Sequence, residues 1–367
     1  MAVSNRSNRS NRSNRSNRSN RSNRSDLEGG ELANLGQESS LLLSDALQSA
    51  MLAFTGPDIA VSKYRLARPT EAELFRRLNA RHRDHLIVSA LMQGLAVASI
   101  GIDDDIRIAQ LTHAAANVLT LELDTRTSAL PFWQQQIDDL RTQKWNRDDR
   151  LAEIDLQQTD LHSFLGLAVP IAADTHPSLM VLLDAVQEIA FRVATEMKDV
   201  CRMPRPHMLA HDLAPPIRTP SHSAFPSGHA TEAFAAAAVL GALYPQSFMP
   251  LRQMAARIAV NRGYAGVHYP IDHHAGAVLG DLLGRQIVQR VFGVLLTKPV
   301  AFTQGTFSAT SLAAAFAASV EDYAFGSPIF DAPRSRPTSA NVSATGQTGI
   351  LPWLAGRVLA DVGTDAP

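Results

Sequence analysis

Within seventy-five residues the chain gathers the side chains that a phosphate-handling site needs. They fall in three stretches: Lys198-Asp-Val-Cys-Arg-Met-Pro-Arg205-Pro206, Phe225-Pro226-Ser227-Gly228-His229, and Asn261-Arg262-Gly-Tyr-Ala-Gly-Val-His268-Tyr-Pro-Ile-Asp272. Ser227 and Gly228 stand just ahead of an alanine-rich run, Ala230 to Leu243, that reads as a helix. A hydroxyl residue, a glycine and a helix start make an anion site, because unpaired N–H groups and the positive end of the helix dipole point outward together. Lys198, Arg205 and Arg262 add charge-assisted donors for the oxygens of an oxyanion, the arginines in bidentate fashion. His268 and His229 can divide the labour across a phosphorus atom, one attacking in line and the other protonating the leaving oxygen. Asp272, four residues after His268, can hold its Nδ1 proton and leave Nε2 free.

The elements that must carry these residues are mostly helices. An amphipathic helix opens at Pro177, with Leu179, Leu182, Val186, Ile189, Val193 and Met197 on one face and Lys198 at its end, where Pro204 stops it. Further helices are expected over Ala230–Leu243, over 251–262, and from Pro270 to about Leu296. In the last of these Gly276, Gly280 and Gly284 would let a neighbouring backbone approach closely. Upstream, helices are expected at 37–55, from Pro69 through about 98, and near 107–121, 129–144 and 161–173. No sustained period-two alternation stands out, so the expected class is all-α, a helical bundle. The connection from Pro206 to Pro226 holds five prolines with His207, His211 and His222, and a loop that long usually has a function.

Composition supports a globular chain: of 367 residues, 45% are hydrophobic and 19% charged. Asn-Arg-Ser repeats seven times over residues 5–25, a tract with no apolar residue to bury that should be disordered. Its N-glycosylation pattern means little without a secretory signal, and a solvated tail is favoured over a polyanion-binding arm. Residues 1–25 hold seven Arg and no acid against a net charge of −1, so the remainder carries −8. An acidic body with cations concentrated around one motif set suits a small anionic ligand, a phosphorylated small molecule or lipid phosphate, and disfavours nucleic acid. The lone Cys201 excludes an internal disulfide and any multi-cysteine metal site. Leu86–Ile102 is charge-free but short and interrupted by polar residues, so it reads as a core helix and not as a membrane span. With no hydrophobic leader at the N-terminus, a cytoplasmic location is expected. The expected organisation is a tail at 1–36, one helical domain at 37–300, and a loosely ordered extension at 301–367 whose apolar patch, Ile350–Leu359, docks on the body. Oligomeric state is left open.

The three stretches resemble the signature of the type 2 phosphatidic acid phosphatase and vanadium-dependent haloperoxidase superfamily: Lys-x6-Arg-Pro, Pro-Ser-Gly-His, and Arg-x5-His-x3-Asp. The likeness covers about residues 178–290, and Asn261 stands where many members have Ser. It implies a pocket at helix ends, with His268 as the nucleophile that forms a phosphohistidine. His229 would be general acid and then base, and Lys198, Arg205, Ser227, Gly228 and Arg262 would hold the phosphoryl oxygens. In the haloperoxidase branch the pocket holds vanadate bound by His268, with peroxide and halide as substrates; the phosphatase branch needs no cofactor. The short stretch from His229 to Arg262 and the Val-His-Tyr-Pro-x-Asp wording favour phosphomonoester hydrolysis. A phosphate-binding module without catalysis is disfavoured because no reacting position is missing. His273 and His274 invite a metal reading, but adjacent side chains on a helix point to different faces.

Overall fold

The computed structural model describes residues 70–100, 105–296, 335–363 and the backbone of 306–308. The expected helix at 37–55 and the Asn-Arg-Ser tract lie outside them. Residues 70–77 belong to one unit of the chain and those from Leu78 onward to another. In the first, α1 (Glu71–Arg77) starts where the Pro69-Thr-Glu pattern placed a helix start. The Thr70 amide donates to Glu73 Oε2 at 3.0 Å while Thr70 Oγ1 accepts from the Glu73 amide at 3.3 Å, a reciprocal cap.

In the second unit α2 (Ala80–Met92) is capped by Asn79, whose Oδ1 accepts from the His82 amide. Here the expected path fails. Gly94, at φ 83°, ends the helical stretch and the chain turns into an antiparallel meander. Its strands are β1 (Leu95–Ser99), β2 (Ile106–His113) and β3 (Ala116–Asp124), and β4 (Thr306–Ser308) adds in parallel to β3. The helix expected at 107–121 is therefore a hairpin. Its two-residue turn, Ala114 and Ala115, has positive φ at both positions, the twist that suits neighbouring strands. Leu119, Leu121 and Leu123 are buried, with Ala109 and Leu111 paired opposite Leu121 and Leu119. That period-two signal was present, masked by alanine and leucine, which favour helices equally well. The charge-free stretch from Leu86 is thus half helix and half strand. No helix among the described residues is long and apolar enough to cross a membrane.

The rest is helical, as expected: α3 (Leu130–Lys144), α4 (Leu151–Leu156), α5 (His162–Leu165), α6 (Pro177–Cys201), α7 (Pro206–Leu209), α8 (Gly228–Leu243), α9 (Phe248–Tyr264) and α10 (Pro270–Phe292), followed by α11 (Ser339–Ala344) and α12 (Ile350–Gly363). Of the helix expected at 161–173, only the single turn α5 forms. The alanine helix α8 is buried nearly all round and packs against α6, α9 and α10. A Cβ at Gly276 would fall 2.6 Å from Ser227 O, one at Gly280 2.4 Å from Thr231 O, and one at Gly284 2.5 Å from Ala238 Cβ. The three glycines thus bring α10 into backbone contact with α8. A buried ion pair, Arg252 Nη1 to Asp281 Oδ1 at 2.6 Å, links α9 to α10, and its guanidinium lies over Phe234 of α8. The apolar patch at 350–359 forms most of α12, which docks on α6 and α10. Asp361 Oδ2 accepts the Ser178 and Leu179 amides at 2.7 and 3.1 Å, capping the start of α6. Arg336 donates to Leu243 O and Val362 O, joining the ends of α8 and α12.

Candidate active site

The centre of the site is the N-terminus of α8. Ser227 is its N-cap, in extended backbone conformation, with Oγ accepting from the Ala230 amide at 3.4 Å. Its own amide donates to Asp272 O at 2.9 Å, which ties the start of α8 to the start of α10. Gly228 and His229 open the helix, where amides have no i−4 partner and are free to meet an anion. A methyl group at Gly228 would touch only Lys198 Cε at 4.0 Å and Glu232 Oε1 at 3.9 Å, so the space beside this backbone is open.

Lys198 ends α6 beneath that helix start. Its ammonium donates to Ser223 O at 3.0 Å, Ala224 O at 2.8 Å and Pro226 O, and an ammonium has only three protons. It therefore anchors the loop ahead of Ser227 and contributes charge, with no N–H left over for a ligand in this arrangement. Burial, then Arg205, holds its pKa well down.

Arg205 reaches the third stretch. Nη1 donates to Val267 O at 2.7 Å and lies 3.0 Å from His268 Nε2. Since a guanidinium can only donate, His268 Nε2 carries the lone pair and Nδ1 the proton. That proton faces Asp272 Oδ2 at 2.8 Å, the pairing expected from the four-residue spacing. The Tyr269 amide donates to the same oxygen at 3.0 Å, while Asp272 Oδ1 has no partner among the described residues. Burial pushes the Asp272 carboxyl up to about 7 against the pull of Lys198, the Tyr269 amide and Arg205. The other end of Arg205 is held by His222, whose carbonyl accepts from Nε at 3.0 Å and whose Nδ1 lies 3.1 Å from Nη2. In the sequence His222 reads only as a histidine of the proline-rich loop; its contact is with the arginine.

Arg262 comes from the end of α9. Nη2 donates to Ile154 O at 2.9 Å and Gln157 Oε1 at 3.2 Å, whereas Nε and Nη1 are buried without partners among the described residues. Burial lowers its pKa to about 10. Asn261, the departure from the family pattern, donates to Glu153 Oε2 and Gln157 Oε1, both at 3.0 Å, and accepts from Arg150 at 3.0 Å. A serine hydroxyl has one proton and would not span both acceptors. Glu153, Gln157 and Gln136, which receives the Ile271 amide at 2.8 Å, are supports that no motif announced. They come from the segments before residue 178 as common polar residues.

His229 keeps some solvent access. Its pKa is driven well below 6.5 by burial, then by Arg262, Arg205 and Lys198, against which a hydrogen bond with the Gln157 backbone works. His268 is lowered likewise, by burial, Arg205 and Lys198, with smaller contributions from His273 and His229. The His273 ring lies 6.2 Å from that of His268, edge to face. Among the described residues no group of three or more His, Cys, Asp or Glu is placed to hold a metal ion. The structure thus brings Lys198, Arg205, Ser227, Gly228, His229, Arg262, His268 and Asp272 to one place, where Lys198 turns to the loop.

This concentration of cations and uncharged imidazoles sets a pH dependence. His162, His229, His268 and His273 all have folded pKa values below 6.5, so below that pH the unfolded chain binds protons that the folded one refuses. Stability should fall as pH drops through 6.5. Asp272, raised towards 7, and Glu196, also raised by burial, work the other way, but they are two groups against five histidines, His207 being lowered as well. The expected result is a melting temperature that decreases from pH 7 to 5, with a smaller decrease in inorganic phosphate, whose charge offsets the cations around His229. Thermal melts across that range with and without phosphate check it.

A family model described as the PAP2 superfamily matches residues 178–294. Decaprenylphosphoryl-5-phosphoribose phosphatase from two strains of Mycobacterium tuberculosis is 37% identical over 106 residues, 29% of this chain and 56% of the relative. The chain thus spans about half the length of the curated relatives it matches. Among solved structures, a transmembrane PAP2 type phosphatidylglycerolphosphate phosphatase from Bacillus subtilis aligns at 18% identity and TM-score 0.33, covering 42% of this chain and 83% of that one. A bacterial vanadium-dependent iodoperoxidase aligns at 20% identity and TM-score 0.33, covering 42% and 47%. Residues 178–294, which match the model of the PAP2 superfamily, carry all three motif stretches.

Proposed function

We propose that the chain is a phosphomonoester hydrolase acting through a phosphohistidine on His268. The observation that carries this is the Asp272–His268–Arg205 line, which presents a ring nitrogen with its lone pair toward the cations while Asp272 holds the opposite proton. The phosphoryl group enters at the α8 N-terminus, where the Gly228 and His229 amides, the Ser227 hydroxyl and the free Nε and Nη1 of Arg262 receive its oxygens. Arg205 Nη1 transfers from His268 Nε2 to a phosphoryl oxygen, and this uncovers the nucleophile. Nε2 forms the N–P bond as the P–O bond to the leaving group breaks, and His229 gives that oxygen a proton. Water then attacks phosphorus, yielding a proton to His229, and the N–P bond breaks to release inorganic phosphate. Throughout, Asp272 stabilises the charge that develops on the His268 ring. The positive surroundings that depress His229 in the free protein are offset by a bound dianion, which restores its capacity to act as acid. The curated relative named as a phosphatase, 37% identical over 106 residues, supports a phosphate monoester as the substrate class.

The test is phosphate release from an aryl phosphate, with vanadate as inhibitor, alongside bromination by peroxide and bromide after vanadate loading. Hydrolysis blocked by vanadate, without bromination, is the expected pattern. Bromination without hydrolysis would replace this reading with the haloperoxidase one.

A further inference from the structure

We propose that Gln157, which lies outside the segment matched by the family, is an oxyanion-binding residue whose carboxamide Nε2 donates to the same phosphoryl group as Nε and Nη1 of Arg262. The inference rests on the hydrolase reading above and adds a ligand contact to it.

The orientation of the carboxamide is determined by its neighbours. Asn261 Nδ2 at 3.0 Å and Arg262 Nη2 at 3.2 Å are both donors, so the Gln157 oxygen must face them and the NH2 group must face away. Gln157 is 1% exposed, and its Nε2 has no partner among the described residues. A buried amide donor left unmet is costly, so its environment must offer an acceptor in the working state. The same residue touches the site a second time through its backbone, which hydrogen-bonds the His229 ring. Gln157 therefore sits between the functional side chains of two helices, His229 of α8 and Arg262 of α9. The charged groups that act on His229 from α6, the loop after it and α9 are Lys198, Arg205 and Arg262, all cations that supply no acceptor. An anion supplies what the two free Arg262 nitrogens and the Gln157 NH2 all lack.

The role differs from a purely structural one in a way substitution can read. Gln157→Glu keeps an acceptor for Asn261 and Arg262 but replaces the donor with an oxygen; Gln157→Met removes both. If Gln157 only braces Asn261 and Arg262, Glu serves as well as Gln. If it binds the oxyanion, both variants weaken inhibition by inorganic phosphate, Met by roughly tenfold and Glu by more, as expected for a hydrogen bond to a charged group. A Gln157→Glu protein with wild-type phosphate inhibition overturns the proposal. Since either variant can lose foldedness, the full-length wild-type protein soaked with inorganic phosphate gives an independent answer. The expected crystal structure has a phosphate oxygen within hydrogen-bond distance of Nε2. Phosphate held by Arg262 and the α8 amides, with only a water on Nε2, overturns this inference and leaves the hydrolase reading standing. No phosphate in the cup and no hydrolysis by the wild-type protein would remove both.

Discussion

His268→Ala should lower turnover of an aryl phosphate by roughly a thousandfold or more, as removal of a nucleophile does elsewhere, while the protein stays folded. The fold expectation follows from the packing. The imidazole makes its two hydrogen bonds to Asp272 and Arg205, and both partners keep other contacts, with the Tyr269 amide and with Val267 O. The more telling measurement is a trapped phosphoenzyme: wild-type protein quenched in acid-free conditions should carry phosphate on a histidine, and the variant should not. His229→Ala should behave differently. Loss of a general acid slows substrates with poor leaving groups such as alkyl phosphates far more than aryl ones. A His268→Ala protein with wild-type turnover would refute the assigned role, as would equal slowing of both substrate types in His229→Ala.

Gly280→Val should destabilise the protein by about 3 kcal/mol. A Cβ there would sit 2.4 Å from Thr231 O, 2.9 Å from Phe234 Cβ and 3.0 Å from Ala235 N. None of these atoms is the end of a flexible side chain, so α10 must move away from α8. That displacement also pulls on the Ser227 amide to Asp272 O bond, so activity should fall beyond the folded fraction lost. Gly356→Ala on α12 is the control. Nothing lies within 4 Å of its Cβ, and alanine should stabilise that exposed helical position by about 0.5 kcal/mol. Urea midpoints for the two variants separate a steric requirement at Gly280 from a general effect of replacing glycine in a helix.

The motif residues stand out in the sequence, because Lys, Arg, His and Asp at fixed spacings around Pro-Ser-Gly-His have few other uses. It also marked α10 as a helix that another backbone approaches closely, since glycines four apart leave a groove; that α8 fills the groove is visible only in the fold. The sheet was hidden because Ile106-Arg-Ile-Ala-Gln-Leu and Val118-Leu-Thr-Leu-Glu-Leu satisfy helical and strand periods nearly equally. Pairing with partners distant in the chain then decides. The direction of Lys198 could not be read at all. Its three acceptors, Ser223, Ala224 and Pro226, become neighbours only through the path of an irregular loop. Gln157 and Glu153 had no motif to mark them, and their roles arise from where α4 meets α9.

The bond between Asp361 and the first amides of α6 has an outcome for biosynthesis. During translation the helix that brings Lys198 into place emerges some 180 residues before the carboxylate that completes its first turn. The residues for handling an oxyanion are therefore all made before the last clasp on their scaffold is available. Assembly of a working cup on the ribosome would have to wait until Asp361 has been made and has left the exit tunnel.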